Sequence, residues 1–159
     1  MVTETSLLGR VEAELTGHGF ASRSIAPSLD NVDIAAVWAR KTFNTNRAAV
    51  ALRLPDGVHP GPLSQRLKFS LGRQIGYFPF LYGLGLQLIW IGTNVTPLSP
   101  PLDRFIDRID NQCSIVQSLF VVDLVQGTTR SARTWGQVVT GMFQAAIEKG
   151  LRDGLALGG

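Results

Sequence analysis

A chain of 159 residues with 45% hydrophobic residues can bury the core of one ordinary domain, which excludes a disordered chain. Charged residues make up only 17%, against the roughly 25% that is usual, so part of the surface is expected to be covered, as by a second copy. The single cysteine, Cys113, excludes an internal disulfide and reads as a small buried hydrophobe.

The N-terminal "MVTETSLLGRVEAEL" has no basic region followed by an apolar run, so it does not read as a signal peptide and a cytoplasmic protein is expected. Leu7, Leu8, Val11 and Leu15 recur on one helical face, with Thr5 as cap and Gly17 and Gly19 as stop. "FASRSIA" is a short strand and "PSLDN" a turn. Residues 33–43 and 48–54 form a hairpin around "NTNR", because asparagine tolerates the left-handed backbone of tight turns. Its second strand puts Ala48, Val50, Leu52 and Leu54 on one face and Arg53 on the other.

"PDGVHPGP" is a loop, and Pro62 suits the first position of a helix carrying Leu63, Leu67, Leu71 and Ile75 on one face. From Gln74 to Leu102 the chain holds no charge. A membrane helix needs about 20 consecutive apolar residues. Pro79, Gly83, Gly85, Gln87 and Gly92 break this run into an aromatic turn, "YFPFLYGLG", and a strand, "LQLIWIG", apolar on both faces. Neither piece calls for a membrane.

Ser99 and Pro100 can open a helix with Leu102, Phe105, Ile106 and Ile109 on one side and Asp103, Asp107 and Asp110 on another. Arg104 and Arg108 beside those acids point to surface ion pairs rather than a cation site. "SIVQSLFVVDLV" is a long strand, "QG" turns it, and "TTRSART" returns. Thr134 and Gln137 match a capping box for a helix ended by Gly150, after which residues 151–159 read as a frayed tail. The order α-β-β-β-α-β-α-β-β-α describes a single α+β domain over residues 1–150, its helices packed on a mixed or antiparallel sheet.

The charge is uneven. Residues 34–73 carry seven bases, Arg40, Lys41, Arg47, Arg53, Arg66, Lys68 and Arg73, against one acid. This block could contact an anion, or it could be a solvated sheet edge and helix face. No nucleic-acid motif accompanies it. His18, His59 and Cys113 are too few for a structural zinc, so no metal or other cofactor is expected. Neither a G-x-S-x-G elbow nor a phosphate loop is present; the G-x-G of "YGLGLQLIWIG" precedes a strand where a dinucleotide loop must follow one.

Within the order, α-β-β-β-α-β resembles the core of the PD-(D/E)xK nucleases. Asp33 could stand for their first acid. The next strand, "AAVALRL", has no acid for their acid-x-lysine, so metal-dependent cleavage by that scheme is not expected. The element order also resembles small α+β secretion chaperones, which are typically acidic, unlike this chain.

Asp123 lies in an otherwise apolar strand, roughly opposite Arg130 across the expected turn. A buried carboxylate needs a partner, so it reads as a cross-strand ion pair with Arg130 or Arg133, or as the floor of a small cleft. The leading expectation is a non-enzymatic interaction module that self-associates, or meets another protein, through Tyr77, Phe78, Phe80 and Tyr82. The alternative is a small-molecule or nucleotide binder, with or without enzymatic activity, whose cleft is lined by Asp123, Arg130, Arg133, Trp135 and Trp90. A third reading is an anion or nucleic-acid contact through the basic block.

Overall fold

The computed structural model describes residues 2–41, 45–75, 83–95, 97–108, 114–134 and 138–157. Among these residues, three helices, α1 (Glu4–Gly17), α2 (Pro60–Ile75) and α3 (Val138–Ala156), accompany seven strands. The strands are β1 (Ala21–Ser22), β2 (Ser28–Leu29), β3 (Val32–Lys41), β4 (Thr45–Arg53), β5 (Gly83–Gly92), β6 (Ser114–Asp123) and β7 (Thr128–Arg133). They form a mixed sheet in the order β1-β3-β4-β5-β6-β7, with β2 paired to β3 outside that path. The pairs β4–β5 and β5–β6 are parallel; β3–β4 and β6–β7 are antiparallel. The architecture is the expected α+β domain in the expected order, with a two-residue strand added inside "PSLDN". There Asp30 and Asn31 both have positive φ, 48° and 64°, as a two-residue hairpin turn requires.

Parallel strands need cover on both faces, and the sheet has it. Leu63, Leu67, Leu71 and Ile75 of α2 pack with Leu102 and Ile106 on Val50, Leu52, Leu88, Trp90 and Leu119. On the other face Leu7, Val11 and Leu15 of α1 and Phe143, Ile147 and Leu151 of α3 pack on Ala49, Ala51, Ile89, Ile91, Phe120 and Val122. β6 is buried at all ten positions, which explains why "SIVQSLFVVD" shows no alternation. The alanines of β4 keep its α1 face thin where the helices approach.

Element ends differ from the sequence expectation, each for a local reason. α1 is capped by Thr3, whose Oγ1 accepts from Ser6 N at 3.2 Å, rather than by Thr5. α2 starts at Pro60, two residues before Pro62, because the His59 ring takes the cap position: Nδ1 accepts from Gly61 N at 3.1 Å. The helix expected after Ser99 is a single 3-10 turn, Leu102–Phe105. It cannot continue because Asp107 N donates to Val116 O instead, at 2.9 Å. α3 runs through Gly150 to Ala156, and Leu151 is fully buried. Gly150 sits at a close helix crossing instead of a stop: a Cβ there would lie 2.7 Å from Val11 Cα.

Candidate functional site

The strongest sequence candidate, Asp123, ends β6 with 3% of its surface exposed. Its cross-strand partner is Thr128, and Arg130 lies opposite Val121, so the expected Asp123–Arg130 register is two residues out. The reason is the longer turn. Asp123 Oδ1 accepts from Val125 N and Gln126 N, both at 2.9 Å, and Oδ2 accepts from Val95 N at 3.1 Å. Burial pushes the carboxyl up, but the three amides together outweigh it and hold Asp123 below its ordinary value. The carboxylate is thus a backbone cap that joins the β6–β7 turn to the segment after β5. Val95, Val121, Gln126, Thr128 and Arg130 line a cleft beside it with a cavity volume of about 10 Å³. That is room for about one water, whereas small-molecule sites span about 300–1,000 Å³.

The other residues expected around this cleft disperse. Arg133 lies opposite Ser118, on the α3 face, and is ion-paired with Glu148 of α3. Arg130 and Arg133, three apart on a strand, therefore point to opposite faces and line no common wall. Trp90 is fully buried under α2, where Nε1 donates to Ser64 Oγ at 2.8 Å. Trp135 and the aromatics Tyr77, Phe78, Phe80 and Tyr82 lie outside the described residues, as does Cys113.

The basic block does not converge as a whole. Arg66 and Arg73 are exposed on α2, and Arg53 sits at the far end of β4, held by Glu4 Oε1 at 2.8 Å. Lys68 is 5% exposed, and its Nζ donates to both Asp107 oxygens at 3.1 Å. Asp107 also accepts from Val116 N at 2.7 Å and Gln65 Nε2 at 3.2 Å. The expected surface ion pair of Asp107 is instead a buried tie between α2, the 3-10 turn and β6.

Arg40 and Arg47 are different. They are direct cross-strand partners on β3 and β4, on the face covered by α1 and α3. Their guanidinium carbons lie 5.3 and 5.1 Å from the centre of the Phe143 ring. His18 and Phe20 meet the same ring edge-on at 5.9 and 5.1 Å.

A buried polar group adjoins this cluster across the sheet, because Gly85 of β5 is the neighbour of Arg47. Gln117 is the extra residue of a bulge in β6, set between the pairs Leu86–Val116 and Gln87–Ser118. Its side chain fills the space over Gly85, where a Cβ would lie 2.4 Å from Gln117 Oε1. Gln87 Nε2 donates to Gln117 Oε1 at 2.7 Å, and Ser118 Oγ donates to Gln87 Oε1. Gln144 of α3 reaches Gln117 O at 3.4 Å. The sequence signal for this set was a polar residue inside each of two apolar strands, "LQLIW" and "IVQSLF". What it missed was that a bulge brings the two together.

Among the described residues no three His, Cys, Asp or Glu side chains gather as a metal site would need. No helix among them is long and apolar enough to cross a membrane. No family model matches the chain, and no curated protein or solved structure matches it either.

Proposed function

We propose that the protein is a non-enzymatic interaction module that self-associates by antiparallel pairing of β7 with β7 of a second copy. The observation that carries this reading is the open edge. β7 is exposed at five of its six positions, with Ala132 half-buried. Thr134 N donates inward to Gln117 O, so by alternation the N–H groups of Thr129, Ser131 and Arg133 point away from β6. Such a row is a template for another strand.

The charges permit the pairing. A two-fold axis at Ser131 sets Arg130 opposite Ala132 and Arg133 opposite Thr129, so no like charges face directly. Arg133 is further neutralised by Glu148. The test is Ser131→Pro, which removes an outward N–H and leaves the β6–β7 bonds alone. Sedimentation of the wild type at 5–200 µM should show a monomer–dimer equilibrium, and the variant should remain a monomer. A wild type that is monomeric throughout, or a variant that dimerises equally, defeats the reading. Small-molecule binding beside Asp123 has less support, because the cleft there holds about one water.

A further inference from the structure

We propose that the outward face of α2 docks on an anionic lipid surface, with the Arg66 and Arg73 guanidinium groups at the lipid phosphates and the Phe69 ring between them at headgroup level. The contact uses a face of the molecule rather than the β7 edge, and it does not depend on self-association.

The argument begins with how α2 divides its residues. Leu63, Leu67, Leu71 and Ile75 pack on the sheet, while Pro62, Arg66, Phe69 and Arg73 are exposed. Successive residues advance about 100° around a helix, so these four fall within about 60° of one another and form one line about 17 Å long. The helix carries three bases and no acid. Lys68 lies on the inner side, with Nζ bound to Asp107 and 5.3 Å from the centre of the Phe69 ring. Arg66 and Arg73 have no ion pair among the described residues; the pairs there engage Arg53, Lys68, Arg133, Lys149 and Arg152. Phe69, between them, is 48% exposed.

The positive side extends beyond the helix. Leu102 and Ile106 pack into the core under α2, so the 3-10 turn lies on the same face of the sheet, and Arg104 and Arg108 are exposed there. The exposed acids that flank this side in the chain are Asp56, before α2, and Asp103, beside Arg104. Across the sheet the helices differ in sign: α1 carries three acids and one base, and α3 two of each. An anionic surface therefore favours approach with α2 foremost.

Shape selects the occupant. A bound peptide or single strand needs a groove or a sheet edge, whereas the exposed line on α2 is the crest of a helix backed by the sheet. A crest meets a flat surface. Helices that lie on anionic bilayers combine cations, which stay at the phosphates, with aromatic rings, which enter the boundary with the acyl chains. No helix among the described residues is long and apolar enough to cross a membrane, and the proposed contact needs none.

The experiment is cosedimentation of the full chain with vesicles of phosphatidylglycerol and phosphatidylcholine in equal parts, and with vesicles of phosphatidylcholine alone. The wild type should partition onto the anionic vesicles and not onto the neutral ones, and salt should release it. Arg66→Gln and Arg73→Gln should each weaken partition about fivefold, and Phe69→Ser about tenfold. Arg10→Gln, an equal loss of charge at an exposed position of α1, is the control and should leave partition unchanged. All four are surface changes, and circular dichroism checks that helix content is retained. Equal partition onto both kinds of vesicle, or none onto either, overturns the proposal. So does equal weakening by Arg10→Gln, which would be an effect of net charge. Retention on polyglutamate or on a single-stranded oligonucleotide, without partition onto vesicles, overturns it as well and assigns the face to an acidic polymer.

Discussion

Lys68 and Asp107 hold opposite charges between α2 and the sheet, with side chains only 6% and 17% exposed. A buried pair of this kind is costly to break singly, because the remaining charge stays in a poor solvent. Asp107→Ala should therefore cost about 3–5 kcal/mol in urea unfolding. Asp103→Ala, at an exposed position with no ion pair among the described residues, should change stability by less than about 0.5 kcal/mol. This ranking reverses the expectation from spacing, which grouped Asp103 and Asp107 as equivalent surface acids. Asp123 has a different signature, in pH. Its carboxyl is held below its ordinary value by three amides despite burial. A depressed pKa stabilises the fold above the unfolded value, about 3.9, and that contribution is lost as pH falls through the folded value. The stability gap between wild type and Asp123→Asn should then be constant from pH 7 to about 5 and shrink below about 4. A gap that grows on acidification would mean the carboxyl is raised rather than lowered.

Helices here are positioned by glycines whose role is space. Gly61 in the first turn of α2 lies under the Phe105 ring, with a Cβ position only 2.1–2.5 Å from ring atoms. Gly150 and Gly154, one turn apart on α3, face Val11 and Leu7 of α1 at 2.7 and 2.8 Å. Adding a methyl group must push whole elements, which typically costs about 1–3 kcal/mol. Gly141, on the same helix, has nothing within 4 Å of its Cβ position. In thermal melts Gly150→Ala should be destabilising, while Gly141→Ala should stabilise by up to about 1 kcal/mol through helix propensity alone. Equal effects at the two positions would show that α1 and α3 do not cross as closely as described. Sequence periodicity found these helices but treated Gly150 as punctuation, because a glycine that ends a helix and one that admits a neighbour look alike in one dimension.

At the scale of the whole molecule, the order of elements was legible because each apolar stretch kept its own period and length. The central strands showed as runs apolar on both faces, and the hairpin showed as two apolar stretches flanking "NTNR", although Asn46 and Arg47 of that stretch belong to β4 rather than to the turn. The candidate site was less legible, since it depends on register. Asp123 was singled out correctly as a buried acid, but its partners are amides supplied by a turn and a distant loop. Arg40 and Arg47 were noticed only within a block of seven bases; pairing across β3 and β4 selects these two, and a ring 96 residues beyond Arg47 gathers them. The proposed β7 pairing also has a consequence for the stability of the whole chain. If two copies share a sheet, unfolding is linked to dissociation, so the melting temperature must rise with protein concentration. A β7 contact is short, six residues on each side, and falls toward the small end of stable interfaces, below about 1,200 Å² in total. The expected rise between 5 and 200 µM is therefore modest, a few degrees, and Ser131→Pro should abolish it while leaving the low-concentration melt in place. A concentration-dependent melt that survives Ser131→Pro would keep self-association but move the contact away from β7. A concentration-independent wild-type melt, together with a monomeric mass, would remove it altogether.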